Sequence, residues 1–169
     1  MKQTDNFKFD EANVMNELVY RNLSEDAKRQ ICAWKYGGEY DLYNLPSYEE
    51  MQVRQIGFMN PKSEKNYNGF WDESILVGFV NILEEKEEVF IGIGVNPDLC
   101  NKHYGQRMLL ITYEISKKLY PDKPLYLEVR TWNIRAVKCY QKAGFRIDGQ
   151  AYELTTGIGT GTFYRMIRE

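Results

Sequence analysis

The sequence predicts one mixed α/β (α+β) domain, and three observations carry that reading. The 169 residues contain no internal repeat, low-complexity tract or Pro/Gly/Ser linker, so residues 1–169 are read as a single domain of ordinary size. Apolar residues follow two different periods: compact runs such as Ile75–Leu83 and Val89–Val95 suit buried strands, whereas Met108, Leu109, Ile111, Ile115 and Leu119 recur at helical spacing. Capping residues and glycine stops punctuate the chain between these segments.

Taken in order, residues 1–14 are polar and are read as a loose segment, and Leu18–Leu23 as a strand ending at Ser24. Ser24 caps a helix whose first turn carries Glu25 and Asp26, where the helix dipole favours anions, and whose apolar side is Ala27, Ile31 and Trp34 up to a stop at Gly37-Gly38. Ser47-Tyr48-Glu49-Glu50 has the form of a capping box and starts a second helix. Ile75–Leu83 and Val89–Val95, separated by Glu84–Glu88, form a hairpin. A helix from Gly105 to Leu119 follows, with Pro121 and Pro124 preventing continuation. Leu125–Val129 is a strand, and Asn133 caps a helix that Gly144 ends. Strands over 145–154 and 162–167, joined through the glycine-rich Thr155–Gly161, close an order of β, α, α, then β-β-α-β-α-β-β.

Composition excludes several function classes. With 22 Lys+Arg against 24 Asp+Glu, the net charge of -2 provides no basic field for nucleic acid. The apolar runs are too short for a membrane span. Cys32, Cys100 and Cys139, odd in number and widely spaced behind a start without a signal-peptide core, point to a reducing, cytoplasmic location. One histidine, His103, and no CxxC pair leave a structural metal site without ligands and a Ser-His-Asp triad with a single candidate base, so no metal is expected.

The chemistry concentrates where the strand Val89–Val95 passes through Asn96–Leu99 into the loop Cys100-Asn101-Lys102-His103-Tyr104-Gly105 and directly into a helix. Unpaired amides at a helix start, backed by the positive end of its dipole, make such a loop a ready pyrophosphate site, though for the loop alone a plain turn is the commoner outcome. Downstream, Leu127, Val129, Asn133, Ala136, Tyr140, Gly144 and Phe145 fit the spacing L-x-V-x-x-x-N-x-x-A-x-x-x-Y-x-x-x-G-F.

This joint pattern resembles the GNAT superfamily of N-acetyltransferases, over roughly residues 75–168. The resemblance implies a mixed, mostly antiparallel sheet of six to seven strands flanked by helices, splayed after its fourth strand to admit acetyl-CoA, the co-substrate. The loop then takes the place of the family's Q/R-x-x-G-x-G/A motif, with Cys100 first, His103 at the middle glycine and Gly105 last. A second register begins at Lys102 and puts Gly105 in the middle.

By resemblance, Ile93, Gly94 and Val95 hold the pantetheine arm through their main chain, Asn101, Lys102, Tyr104 and Gln106 belong to the phosphate loop, and Asn133 and Ala136 contact the donor. Tyr140 is expected to protonate the departing thiolate or to hold its sulfur. Glu128, in an L-E-V-R segment similar to that of branches acetylating protein N-termini, is the candidate base. Strand alternation puts Glu128 on the face opposite Leu127 and Val129, where an ordinary exposed glutamate would also stand. In Trp34–Asn44, the side chains of Trp34, Glu39, Tyr40 and Asp41 are candidates for recognising a cationic amine. The resemblance thus implies a small-molecule amine or a protein N-terminus as acceptor, with homodimerisation common in the fold. A non-catalytic acyl-CoA-binding module, suggested by His103 in place of a glycine, is the alternative, and an O-acyl or longer-chain transferase a third.

Overall fold

The computed structural model describes residues 17–169; the segment 1–14 read as loose lies outside the described residues. Strand β1 (Val19–Asn22) leads into α1 (Glu25–Ala33), where the Ser24 hydroxyl accepts from the Ala27 amide at 3.1 Å. The helix stops at Trp34 in extended conformation, short of the expected Gly37-Gly38. A 3-10 turn (Gly38–Tyr43) intervenes, and α2 (Tyr48–Arg54) starts at Ser47, whose hydroxyl accepts from the Glu50 amide at 3.1 Å. Only half of the capping box forms this way, since the Glu50 carboxylate accepts from Arg54 at 3.0 Å.

The sheet continues with β2 (Tyr67–Asp72), which the sequence reading lacked, then β3 (Ile75–Glu84) and β4 (Val89–Val95). After α3 (Tyr104–Leu119) come β5 (Leu125–Arg130) and α4 (Ile134–Lys142). The strand expected over 145–154 is split into β6 (Arg146–Ile147) and β7 (Tyr152–Thr156), with Gly149 at φ +75° between them. β8 (Gly159–Arg168) begins inside the expected turn, because only Gly157 and Ile158 separate its register with β7 from Thr156 to Gly159. The eight strands of the described residues run in the order β1-β2-β3-β4-β5-β8-β6, with β7 alongside β8, one more than the upper end of the expected six to seven.

All pairings are antiparallel except β4 with β5, which are parallel and share only Val89↔Leu125 and Phe90↔Tyr126. Beyond those two pairs the strands diverge, and this splay is the slot on which the site is built. The helices α3 and α4 cover one face, where Met108, Leu109 and Val137 pack with Val80, Ile91, Leu127, Val129 and Met166. On α3 the buried line is Met108, Leu109, Thr112 and Ser116; Leu119, expected on that side, is exposed because it falls past the end of the sheet contact. A second cluster joins α1 and α2 to the sheet through Ile31, Met51, Phe58 and Trp71. Lys28, 3% exposed, pairs with Glu25 at 2.9 Å and Glu64 at 2.8 Å, which satisfies a charge that would otherwise be costly to bury.

Candidate active site

The slot between β4 and β5 opens into a cleft of about 560 Å³. Backbone geometry fixes what its β4 wall offers. The Val89 amide donates to the Pro124 carbonyl at 2.9 Å and the Asn96 amide to Val77 at 2.8 Å, so the amides of Ile91, Ile93 and Val95 alternate toward β5. The Phe90↔Tyr126 pair takes up the Ile91 amide, and past it, with β5 gone from that side, the Ile93 groups face the slot. Gly94 presents its backbone to β3 instead, opposite Phe79. A side chain on Gly94 would collide with the Phe79 ring, so this glycine admits an aromatic ring from the next strand.

Side chains on β4 and β5 sort by the same alternation. Val89 and Ile91 join the helix-covered core with Leu125, Leu127 and Val129. Phe90 meets Tyr126 with ring centroids 5.4 Å apart, so Phe90, Gly92 and Gly94 share the opposite face with Tyr126, Glu128 and Arg130. In that row Gly92 carries no side chain and the place over Gly94 is taken by the Phe79 ring.

At the open end of the slot stands the loop before α3. Asn101 and His103 both adopt left-handed backbone, at φ 63° and 64°, and His103 is the N-cap residue without a side-chain cap bond. The first-turn amides of α3 are therefore uncapped by any side chain, and alternating left-handed residues gather them into a concavity that favours anions. The middle-glycine position keeps a conformation glycine favours although histidine occupies it, which supports the register beginning at Cys100. Gly105 has a different reason for being glycine: a Cβ there would lie 3.0 Å from the Cys139 sulfur, so it lets α3 approach α4. The Tyr104 hydroxyl points away, donating to Asp72 at 2.6 Å, a bond that raises its pKa. Gln106 reaches the Lys142 carbonyl at 3.4 Å.

The β5 and α4 wall carries the polar groups. The Asn133 side chain accepts from the Ala136 amide at 3.1 Å and donates to the Tyr43 hydroxyl at 3.3 Å, so the cap residue also ties the preceding 3-10 turn to α4. Tyr140 faces the cleft with no hydrogen-bond partner among the described residues, and burial pushes its phenol well above the ordinary tyrosine value. Glu128 accepts from the Tyr152 hydroxyl at 2.6 Å. Burial likewise raises the thiols of Cys100 and Cys139, so both stay protonated near neutrality and the cleft holds no thiolate nucleophile.

The segment 34–45 closes the remaining side. Tyr36 donates its hydroxyl to the Val95 carbonyl at 2.6 Å and its amide to the Asn44 side chain at 2.6 Å. Tyr40 stacks under Arg135 at 4.0 Å and near Trp132 at 5.7 Å. The segment thereby spans from the tip of β4 to the start of α4.

Of the residues expected from sequence, Trp34, Tyr40, Ile93, Gly94, Val95, Cys100, Asn101, His103–Gln106, Glu128, Asn133, Ala136 and Tyr140 line the cleft. Glu39, Asp41 and Lys102 do not; all three are exposed. In a 3-10 turn side chains eclipse every third residue, so Tyr40 and Tyr43 share the inward side and the two carboxylates project elsewhere. Arg135, a basic residue within the α4 motif, lines the cleft too, and so do Tyr36, Tyr43 and Arg130, which were not singled out although Trp34–Asn44 and the L-E-V-R segment contain them. Among the described residues no group of three or more His, Cys, Asp or Glu is placed to hold a metal ion, and no helix is long and apolar enough to cross a membrane.

The chain matches the family model described as acetyltransferase (GNAT) family over residues 28–145. No curated protein sequence matches it. Among solved structures, a GNAT-family acetyltransferase from Bacillus anthracis superposes with a TM-score of 0.74 at 17% identity, covering 91% of this chain and 96% of that one. The spermidine N-acetyltransferase from Vibrio cholerae in complex with CoA and spermine gives a TM-score of 0.71 at 18% identity, covering 89% and 94%. A GNAT-family acetyltransferase from Streptococcus pneumoniae gives 0.64 at 23%, covering 90% and 98%. At these identities the likeness is one of fold.

Proposed function

The chain belongs to the acetyltransferase (GNAT) family and is an acetyl-transferring enzyme, and from that premise we propose that it moves the acetyl group of acetyl-CoA directly to a primary amine of a small molecule or a protein N-terminus. The observation that carries the reading is the slot: β4 and β5 part after two register pairs, with an amide concavity at one end and Glu128 and Tyr140 on its walls. When bound, acetyl-CoA supplies an acetyl group activated as a thioester.

The residues present fit that donor. The amides at the α3 start, with Asn101 and His103, suit its pyrophosphate, and the main chain of Ile93, past the last β4–β5 pair, suits its amide-containing arm. Lys138 and Lys142 on α4 stand on the same cleft and supply positive charge. Glu128, oriented by Tyr152, accepts a proton from the acceptor ammonium. Tyr140 keeps its proton, because its phenol is raised by burial and is already less acidic than a thiol; its hydroxyl therefore serves by donating a hydrogen bond where negative charge develops. Protonated Cys100 and Cys139 favour direct attack by the amine over an acyl-enzyme. The left-handed backbone at His103 also weakens the reading as a non-catalytic module, since the loop keeps its shape without the glycine.

A small molecule is favoured because segment 34–45 bridges the two walls and shortens the cleft, and because the structurally similar Vibrio cholerae enzyme is seen with spermine. Calorimetry of acetyl-CoA against the wild type and Asn101→Asp tests the donor site. Asn101 is exposed and left-handed, a conformation aspartate tolerates, so the variant adds charge with little strain. Micromolar binding weakened at least roughly tenfold by the carboxylate is expected. No binding to the wild type would overturn the proposal.

A further inference from the structure

We propose that the acceptor is an amine that also carries a carboxylate, of the amino-acid type, and that Arg130 reads that carboxylate; this rests on the acetyl-transfer reading of the same cleft. Arg130 ends β5 and is 7% exposed. No carboxylate among the described residues lies within ion-pair distance of it. Its Nε is buried without any partner, and its two terminal nitrogens make only long bonds, 3.5 Å to the Thr160 carbonyl and 3.3 Å to that of Gly159. A guanidinium has five N–H donors, so besides the enclosed Nε–H one on each terminal nitrogen has no protein acceptor. Buried arginine is ordinarily paired, and this one faces the cleft with its charge uncompensated.

The surroundings keep it there. The guanidinium packs 4.9 Å from the centroid of the Phe163 ring, and a side chain at Gly161 would collide with its terminal nitrogen. Glu128 stands two residues earlier on the same strand face, about 7 Å away along β5. Its only hydrogen bond is from neutral Tyr152, and it has no cationic partner among the described residues either. The nearest register neighbour, Arg165, is spent on Glu88 and Asp148. One unpaired anion and one unpaired cation at that spacing complement the ammonium and carboxylate of a zwitterion.

The charge of the cleft argues the same way against a polycation. Glu128 is the one carboxylate among the described lining residues, and the unpaired Arg130 shares its strand face. A competing structural role is visible too: the Gly159 and Thr160 carbonyls lie beyond the end of β5, where Arg130 stands in for a missing strand. The test must separate the two roles.

The experiment measures thiol release from acetyl-CoA with an amino-acid panel, the matching amino-acid amides and linear polyamines, for wild type, Arg130→Gln and Arg130→Lys. Expected is a KM for the best amino acid at least roughly tenfold below that of its amide, rising roughly 10–100-fold in Arg130→Gln while the amide changes less than about twofold, with Arg130→Lys between. Equal losses for acid and amide in the glutamine variant would mark Arg130 as structural only and overturn the proposal. Wild-type preference for amides or polyamines would overturn it without any variant, which covers the case where the substitutions do not fold. Turnover of neutral amines without carboxylate preference leaves acetyl transfer standing; absence of turnover with every amine removes both.

Discussion

At the scale of single residues, the raised phenol of Tyr140 sets the pH behaviour. A group whose proton is held more tightly in the fold stays protonated up to its raised value, so hydrogen-bond donation by Tyr140 is constant from neutrality through pH 10 and is lost only above that. Tyr140→Phe is expected to lower kcat about 10–100-fold with little change in KM, and the ratio of variant to wild type should stay flat between pH 6 and roughly 10 in steady-state assays. A ratio that closes near pH 9 would show that the phenol titrates there. His103 makes the opposite point, since its left-handed backbone costs an L-residue about 1–2 kcal/mol. His103→Gly relieves that strain but adds freedom to the unfolded chain, so calorimetry should find stability between unchanged and about 1 kcal/mol higher.

Elements are where sequence and structure part. Ser24, Ser47, Asn133 and Gly144 are local signals, and each stands at the helix end it announced. β2 was illegible because Gly69 sits in its middle; a Cβ there would lie 2.6 Å from the Trp71 ring, so a residue that reads as a strand breaker is demanded by packing. The cleft divides the same way. The loop before α3 and the α4 motif are contiguous in sequence, but Tyr36 reaches Val95 across 59 positions, a contact no local pattern records. Glu39 and Asp41 misled because composition does not say which way a 3-10 turn faces. Helix α3 sits tightly on the sheet at Gly78, where a Cβ would lie 2.5 Å from the Met108 sulfur and 2.6 Å from the Gly94 carbonyl oxygen. The methionine can move and the carbonyl cannot, so Gly78→Ala should cost about 1–3 kcal/mol in chemical denaturation and disturb the β4 wall with it.

For the whole molecule, the donor slot lies between the two halves of the sheet, so a ligand filling it touches both. Binding to the folded state alone stabilises by about 2.7 kcal/mol at a hundredfold excess over Kd. For a chain of this size that corresponds to a melting temperature roughly 5–10 °C higher with acetyl-CoA or CoA, measurable by differential scanning fluorimetry. A shift absent at saturating ligand would mean that the slot does not take the donor.

The two register pairs between β4 and β5 also bear on how the chain reaches this shape. Strands β2 to β4 are sequential neighbours closed by short turns, and β7 with β8 closes over two residues, so each side of the molecule contains a nucleus of local contacts. The remaining union must wait for α3 to cross over and deliver β5, and it then fastens with the few backbone bonds around Val89 and Phe90. That closure is rewarded with few backbone bonds, and the apolar core that α3 and α4 share with both halves of the sheet supplies the rest. Amide exchange at Val89, whose N–H bonds the Pro124 carbonyl across the β4–β5 seam, should report its opening.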